Sequence, residues 1–489
     1  MHWQVEFAKY LYTTTLKMKK FLFILLCSAV SIVACTKTEY ITITPEEDTP
    51  DTSTYTIMMY GCGGTTLDAS MVLNIQEALL EGASDRVNFV GQVKFSARFQ
   101  DTEALAGTQR FIVGEAGKQW YEPVEVLDTK LELYESENLT DFINWAKAQR
   151  PADNYILLLW NHGGAWSPIE DYVEGESRAI IYDDVNDNNS LTLNGLVNGI
   201  KDSDTKFKMV YYDACLMGMI EIVSGLAGCT DYTMGASHVT PSIGGDYNSL
   251  MRNLKNSTNF EEAIKRYCSE TVTHWEPQGF PLDLMVVNNN QMDPLLAEIN
   301  VLSGYLKEIA QIYATFDAEA DANDLNKYYL CTAFNRAINT CYHYDWNYFD
   351  DGTAGYPFYD IQNFIEILVN GETHSYSAKL IDLASRINRA LSNAIVCKEL
   401  TSAIERMDLS MGITIVDDYV WKERGYDIAY DELLFQKKTG WGDWLAINPI
   451  LPTGNPNPAT ITQLPEQNDG VRLPVEQEIE YLLNLIGKN

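Results

Sequence analysis

Two uninterrupted apolar runs, each ending beside a chemically reactive side chain, constrain the fold of this chain most strongly. The first, residues 155–160, ends just before His162, and the second, residues 209–212, ends just before Cys215. Such runs are typical of strands buried on both faces of a parallel sheet. His162 and Cys215 are 53 residues apart, which accommodates one strand–helix–strand excursion. We therefore predict neighbouring strands whose carboxyl ends bring the two side chains together.

A histidine beside a cysteine can act as the base that generates a nucleophilic thiolate near neutral pH. Gly163 and Gly164 follow His162 and allow close approach of a substrate carbonyl, which a backbone N–H would then bind as an oxyanion. The alternative is structural, because buried thiols and hydrogen-bonded histidines at strand ends are both common. The spacing alone leaves both interpretations open.

Further segments extend the alternation of strands and helices. Strands are predicted at residues 55–60, 87–93, 110–113, 179–182, 282–287 and 411–416, and helices at residues 67–80, 139–148, 193–200, 216–226, 260–272, 292–316 and 380–396. This alternation indicates an α/β fold, with a parallel-dominated sheet flanked by helices on both faces. The later segments predict an additional helical C-terminal subdomain.

The turn after the first strand, residues 61–64, is rich in glycine. Thr66 occupies the place of the last glycine of the dinucleotide-binding pattern, and no Lys-Ser or Lys-Thr pair follows to hold a phosphate. We interpret the segment as an ordinary strand-to-helix turn.

The N-terminal segment has the layout of an export signal. A basic start at Met18 precedes a short apolar run and small residues that end at Cys35. The segment resembles a bacterial lipoprotein signal, which implies that Cys35 carries lipid; an ordinary signal peptide with a chance cysteine is the alternative. We predict residues 1–35 as upstream residues and signal, 36–53 as a flexible tether, 54–254 as the catalytic core and 255–489 as the C-terminal extension of the sheet and helical subdomain.

Charge and cysteine usage narrow the possible partners. The formal net charge of −33 disfavours nucleic acids and weakly favours cationic substrates. Nine cysteines include Cys27 and Cys35 of the signal, so seven remain in the mature chain. An odd number leaves at least one free thiol. The sequence contains no C-x-x-C pair, so a zinc site is not supported. The spacing of the cysteines does not assign any disulfide.

Two motifs together, Trp160-Asn-His-Gly-Gly-Ala-Trp166 and Asp213-Ala-Cys-Leu-Met-Gly-Met219, resemble the clostripain family of cysteine peptidases. The resemblance implies a caspase-like fold, His162 as general base and proton donor, and Cys215 as nucleophile. It also implies an oxyanion site at the N–H groups of Gly163 and Cys215, and Asp213 in a pocket that accepts Arg or Lys. The alternative, purely structural role for Asp213 is to cap the helix predicted after it.

The loop at residues 236–247 departs from the family pattern, which has Ala-Ser-Glu-Glu followed by a Gly-Trp-rich turn. His238 replaces a glutamate and the tryptophan is missing, so a strict preference for Arg or Lys is open. Asp246 is a candidate to restore negative charge to the pocket. The alternatives are an inactive lipoprotein that serves as a binding module and a self-processing structural precursor. Retention of both His162 and Cys215 argues against an inactive protein.

The resemblance also implies a zymogen that cuts itself after a basic residue in the loop beyond the histidine. Residues 167–179 contain one basic residue, which predicts cleavage between Arg178 and Ala179. We expect a monomer that acts on proteins or peptides and is anchored to the bacterial envelope, in the outer membrane, by its N-terminal lipid. No cofactor or metal is required. Calcium, which some relatives need, is not supported, because residues 345–352 match a calcium loop poorly.

Overall fold

The computed structural model describes residues 54–166, 180–187, 189–344, 358–404, 409–415, 426–447 and 474–488. These residues belong to a single compact unit, residues 50–489. Three predicted features lie outside the described residues: Cys35 with its tether, the Arg178–Ala179 junction and the run at 345–352. The predicted boundary between residues 254 and 255 remains a prediction.

Strands in the described part of the chain form one large sheet and two small ones. Their bounds are β1 (Tyr55–Cys62), β2 (Val87–Lys94), β3 (Thr108–Ile112), β4 (Glu125–Leu127), β5 (Asn154–Trp160), β6 (Ile180–Asp183), β7 (Asn189–Leu191), β8 (Phe207–Asp213), β9 (Thr230–Gly235), β10 (Asp283–Asn288), β11 (Phe358–Asp360), β12 (Ile395–Leu400) and β13 (Gly412–Thr414). The large sheet has the order β12-β10-β9-β8-β5-β1-β2-β3-β4. Its centre, from β9 to β2, is parallel, and antiparallel strands extend it at both edges. This arrangement confirms the predicted parallel-dominated sheet.

Helices cover both faces of this sheet, as predicted. Their bounds are α1 (Asp68–Glu81), α2 (Ser136–Gln149), α3 (Leu193–Asp202), α4 (Ile220–Gly225), α5 (Tyr247–Asn256), α6 (Phe260–Trp275), α7 (Met292–Tyr313), α8 (Leu325–Thr340), α9 (Ile361–Val369), α10 (Ser377–Ala394), α11 (Tyr426–Glu432), α12 (Leu434–Thr439), α13 (Gly442–Leu445) and α14 (Val475–Leu485).

Alternate side chains of each central strand supply two separate cores. In β5, Leu157 and Leu159 pack into the core shared with α2, α3, α4 and the later helices. Ile156 and Leu158 pack into the core shared with α1, α5, α6 and α14. A strand with apolar neighbours on both faces reads as a continuous apolar run, and the sequence pattern therefore located β5 and β8 correctly.

Three sequence predictions are wrong in detail. The segment at 179–182 does not join the large sheet, because β6 pairs with β7 in a small separate hairpin. The helix expected at 216–226 begins only at Ile220, because Leu216 adopts a left-handed backbone conformation with φ of 61° that cannot start an α-helix. The helix expected to end at residue 396 ends at Ala394, and the β-branched residues that follow open β12.

Among the described helices, none combines the length and apolar character that a membrane crossing requires.

Candidate active site

The register between β5 and β8 aligns His162 with Cys215. Trp160 pairs with Asp213 in parallel register, and each reactive residue lies two positions beyond its paired residue. Gly163 lies directly against the second loop: a β-carbon there would be 3.0 Å from the backbone nitrogen of Cys215 and would clash with its carbonyl oxygen. The predicted neighbouring strands are thus confirmed, and only glycine permits this close approach.

Two hydrogen bonds from one buried amide hold the loop that carries His162. Asn161 Nδ2 donates to the carbonyl of Cys62 at 2.6 Å, and its Oδ1 accepts from the backbone N–H of Tyr182 at 2.7 Å. The exposed ring of His162 meets the ring of Tyr182 edge-on, with the centroids 6.3 Å apart. Asn161 therefore links β1, β6 and the histidine, a positioning role that the sequence analysis did not assign.

The glycine-rich turn after β1 packs beside the same loop. A β-carbon at Gly64 would lie 3.0 Å from both Asn161 Nδ2 and the carbonyl of Tyr182. Two residues later, the hydroxyl of Thr66 lies 3.4 Å from His162 Nε2. Thr66 entered the sequence analysis only as an argument against a nucleotide site. The structure shows that the turn borders the histidine instead.

Cys215 is half-buried on a sharp turn rather than at a helix start. The backbone N–H of Thr240 donates to its Sγ at 3.4 Å. The next residue, Leu216, donates its N–H to the carbonyl of His238 at 3.0 Å. The carbonyl oxygen of Thr240 lies 3.9 Å from the same sulfur, and its hydroxyl lies 3.6 Å away. Because α4 begins five residues later, Cys215 does not lie at a helix N-terminus.

Asp213 lies under the loop at 236–247, which we call the pocket loop. The side chain is 5% exposed, and its Oδ2 accepts from the N–H of Gly245 at 2.8 Å and from the hydroxyl of Tyr247 at 2.7 Å. Burial raises the pKa of Asp213 above its usual value, against the two hydrogen bonds. The alternative role as a helix cap is wrong, because the N-cap of α4 is Met219.

Asp246 caps a helix at the far end of the pocket loop. Its Oδ1 accepts from the N–H of Ser249 at 3.0 Å, at the start of α5. Its predicted contribution to the charge of the pocket remains a prediction.

A second carboxyl reaches the same end of the pocket loop from α1. Glu77 Oε2 accepts from the N–H of Tyr247 at 3.0 Å. Burial raises the pKa of Glu77 to about 8, with the charge of Asp246 adding to the effect. The neighbouring Asn74 donates to the carbonyls of Ile243 at 2.8 Å and Gly245 at 3.2 Å. Nothing in the sequence pattern distinguishes these two residues from other polar positions on an amphipathic helix.

The start of the pocket loop is held by a buried charged cluster. His238 is fully buried: its Nδ1 lies 2.7 Å from Asp283 Oδ1, and its Nε2 lies 2.8 Å from the hydroxyl of Tyr342. Lys398 Nζ lies 3.1 Å from Asp283 Oδ2. Burial alone would raise the pKa of Asp283, but Lys398 and His238 outweigh it and hold that pKa far below its usual range. His238, at which the pocket loop departs from the family pattern, therefore contacts the buried side chains of Asp283 and Tyr342.

Within the described residues, no group of three or more His, Cys, Asp or Glu side chains is arranged to hold a metal ion.

Comparison with known sequences matches this chain to one peptidase family. The sequence profile of the clostripain family matches residues 103–447. Clostripain from Hathewaya histolytica is 26% identical over 392 residues, which cover 70% of this chain and 70% of that protein.

Solved structures share the fold. An inactive zymogen C11 protease from Parabacteroides distasonis superposes with a TM-score of 0.55 at 16% identity, covering 80% of this chain and 99% of that one. A secreted C11 cysteine protease from Bacteroides thetaiotaomicron, in complex with an irreversible peptide inhibitor, gives a TM-score of 0.54 at 14% identity, with the same coverage. These likenesses confirm the expected caspase-like α/β fold.

Proposed function

This chain belongs to the clostripain family and is a cysteine peptidase, and from that premise we propose that it is an endopeptidase that cleaves after Arg or Lys. The observation that carries the proposal is the contact of Gly163 with the backbone of Cys215, since it brings the His162 loop onto the thiol-bearing turn. The aligned register of β5 and β8 supports the same pairing.

In the proposed mechanism, His162 takes the proton of Cys215, and the thiolate attacks the scissile carbonyl carbon. The N–H groups of Gly163 and Cys215 stabilise the oxyanion of the tetrahedral intermediate. Protonated His162 then gives its proton to the leaving amine, and an acyl-enzyme remains on the sulfur. His162 next removes a proton from a water molecule, whose attack releases the acid product and regenerates the thiol.

The proposed preference for a basic residue depends on Asp213. The hydrogen-bond donors that reach it, the N–H of Gly245 and the hydroxyl of Tyr247, are neutral, so the ionised carboxylate keeps its charge available. Desolvation raises the free energy of this carboxylate, as the raised pKa shows, and a bound guanidinium or ammonium would relieve that cost.

Hydrolysis of fluorogenic peptides that end in Arg, Lys or neutral residues tests the proposal. We expect cleavage after Arg and Lys by the wild-type protein and loss of activity to background in the Cys215→Ala variant. A Cys331→Ser variant is a matched control, because Cys331 is a buried thiol on α8 outside the site. If the wild-type protein cleaves none of the peptides, the inactive binding module becomes the better interpretation.

The proposal includes self-activation at the Arg178–Ala179 bond, which lies outside the described residues. Its support is a single arginine in the otherwise acidic and uncharged connector at 167–179. Purified wild-type protein should divide into two fragments during incubation, whereas Cys215→Ala and Arg178→Ala should remain intact. Equal cutting in all three proteins, or cutting in none, contradicts self-activation.

We also place the protein at the bacterial cell envelope, anchored in the outer membrane through lipid on Cys35. The support is the resemblance of residues 18–35 to a lipoprotein signal. Fractionation of expressing cells should recover the full chain with membranes, and a Cys35→Ser variant should lose the lipid mass. An unmodified Cys35 in the mature protein contradicts the anchor.

A further inference from the structure

Two cysteines from distant parts of the chain lie together beside β10. Cys268 is on α6 and Cys397 is on β12, the strand that pairs with β10 at the edge of the large sheet. The register places Cys397 opposite Val286, and Cys268 Sγ donates to the carbonyl of Leu284 at 3.1 Å on the same strand. Both cysteines pack into the core that α5 and α6 share.

Both cysteines therefore approach neighbouring positions of β10 on the same face of the sheet, and their surroundings differ. Cys268 is fully buried, and burial raises its pKa. Cys397 is partly exposed, and its interaction with the side chain of Cys268 lowers its pKa. A more accessible and more acidic thiol next to a buried one is the arrangement in which the first reacts with an oxidant and the second completes a disulfide.

We propose that Cys268 and Cys397 form a disulfide once the protein meets a disulfide oxidant, either a thiol–disulfide oxidase or glutathione disulfide. The Cys397 thiolate attacks one sulfur of the oxidant, whose S–S bond breaks and whose other sulfur leaves as a thiolate. Cys268 loses its proton and attacks the Cys397 sulfur of this mixed disulfide, which releases the second thiolate. The protein loses two protons and two electrons, and the oxidant is reduced to two thiols.

The disulfide would close a segment of about 130 residues between α6 and β12. Cross-links over long segments restrict the unfolded chain strongly. The bridge would also secure Lys398, the residue after Cys397, whose ammonium pairs with Asp283 beneath the start of the pocket loop. Cys215 packs against the core on the other face of the sheet, so this bridge leaves the nucleophile alone.

The inference depends on the proposed export only for the source of oxidant in the cell, and its test needs neither export nor activity. The full chain carrying Cys215→Ala is treated with glutathione disulfide, denatured in an alkylating agent and digested without reduction. We expect a cross-linked peptide pair that contains Cys268 and Cys397, lighter than the two free peptides by two hydrogen atoms and absent after reduction.

Matched variants in the same background complete the experiment. Reduction should lower the Tm of the oxidised Cys215→Ala protein by several degrees. It should leave the Tm of the same protein with the added Cys268→Ser and Cys397→Ser changes unchanged. The Cys331→Ser variant should keep both the cross-linked peptide and the Tm response. Alkylation of both thiols after oxidant treatment, or pairing of either cysteine with a different partner, overturns the proposal.

Discussion

Residues 161–166 and the pocket loop at 236–247 both contact Cys215, yet different kinds of interaction hold them. The loop with His162 depends on the neutral amide of Asn161 and on the close approach of Gly163. The pocket loop depends on two buried carboxyls. At the start of the loop, Asp283 accepts hydrogen bonds from the N–H groups of Ser237 and His238. Near the end of the loop, Asp213 accepts a hydrogen bond from the N–H of Gly245.

The difference follows from what each loop must do. A carboxylate beside His162 would favour the imidazolium and leave a smaller fraction of the ring neutral and able to take a proton near neutral pH, so a neutral anchor suits that loop. Under the pocket loop, the charge of Asp283 is compensated by Lys398, and His238 contacts the same carboxylate. The donors that reach Asp213 among the described residues, the N–H of Gly245 and the hydroxyl of Tyr247, are neutral. One carboxylate therefore stabilises the structure, and the other is the one that we propose supplies negative charge for a ligand. Five predictions test this contrast.

Asp283→Asn should have the largest effect on stability. The change leaves the ammonium of Lys398 buried without its counter-charge, which costs about 3–5 kcal/mol of the free energy of unfolding. Denaturant or thermal unfolding measures the loss. The second change Lys398→Met should restore part of it. Asp213→Asn is the matched control and should lower stability little, since it leaves no buried cation without a counter-charge. Equal losses of stability in the two variants would contradict the proposed contrast.

Asp213→Asn should instead reduce selectivity. The amide oxygen can still accept from Gly245 and Tyr247, but the charge is lost, so kcat/KM for an Arg-ending peptide should fall about 100- to 1,000-fold. A peptide that ends in citrulline, the uncharged analogue of arginine, should be cleaved equally by both proteins. Equal losses on the two peptides would mean that Asp213 acts through the shape of the loop.

The same pair of peptides gives a pH test. Because burial raises the pKa of Asp213, its protonation in the free wild-type enzyme begins at a higher pH than for an exposed aspartate. The ratio of Arg to citrulline cleavage should therefore fall as the pH drops through that pKa. The titration of His162 and Cys215 affects both substrates and cancels in the ratio.

Asn161→Ala should cost about 1–3 kcal/mol of stability, because the N–H of Tyr182 loses its buried acceptor. Misplacement of His162 should lower kcat about tenfold, which corresponds to about 1.4 kcal/mol of activation free energy, with little change in KM. Asn161→Asp sharpens the test: a carboxylate there should raise the pKa of His162 and move the acidic limb of the kcat/KM profile to higher pH. An unmoved limb would show that neutrality at this position is unimportant.

Glu77→Gln should change stability little in acid, and the size of its effect should grow with pH. The pKa of Glu77 is about 8 in the folded protein and near 4.5 when unfolded, so the folded state holds an extra proton between these values. The contribution of Glu77 to the free energy of unfolding is fully present below about pH 4.5 and declines as the pH rises to about 8. The Tm advantage of the glutamine variant should grow over this range and then level off. A constant difference in Tm would contradict the raised pKa.

The reactive pair was predictable because it depends on a local signal. Apolar runs buried on both faces identify β5 and β8, and the residues two positions beyond their paired ends follow directly from the register. The groups that support the pocket loop come from α1, β10 and β12, far away in sequence. No periodicity marks Glu77, Asp283 or Lys398 as partners of that loop, because tertiary packing alone brings them together.

Local conformation caused the other errors. The apolar pattern at 216–226 is helical in period, but the left-handed backbone of Leu216 delays α4. A pattern of side chains records which face is buried and does not record the sign of a backbone dihedral. The buried partners of His238, Asp283 and Tyr342, likewise cannot be inferred from its neighbours in sequence.

The number of residues between each strand end and its reactive residue bears on where such a chain can lengthen during evolution; we call these residues the spacers. One residue separates Trp160 from His162, and one separates Asp213 from Cys215. Inserting a single residue into either spacer would displace one reactive group by about 3.8 Å and point it to the other side. Insertions between β6 and β8 alter neither spacer. Tolerance to insertion should therefore be lowest at these two spacers, and the 53-residue separation of the reactive pair should be free to vary.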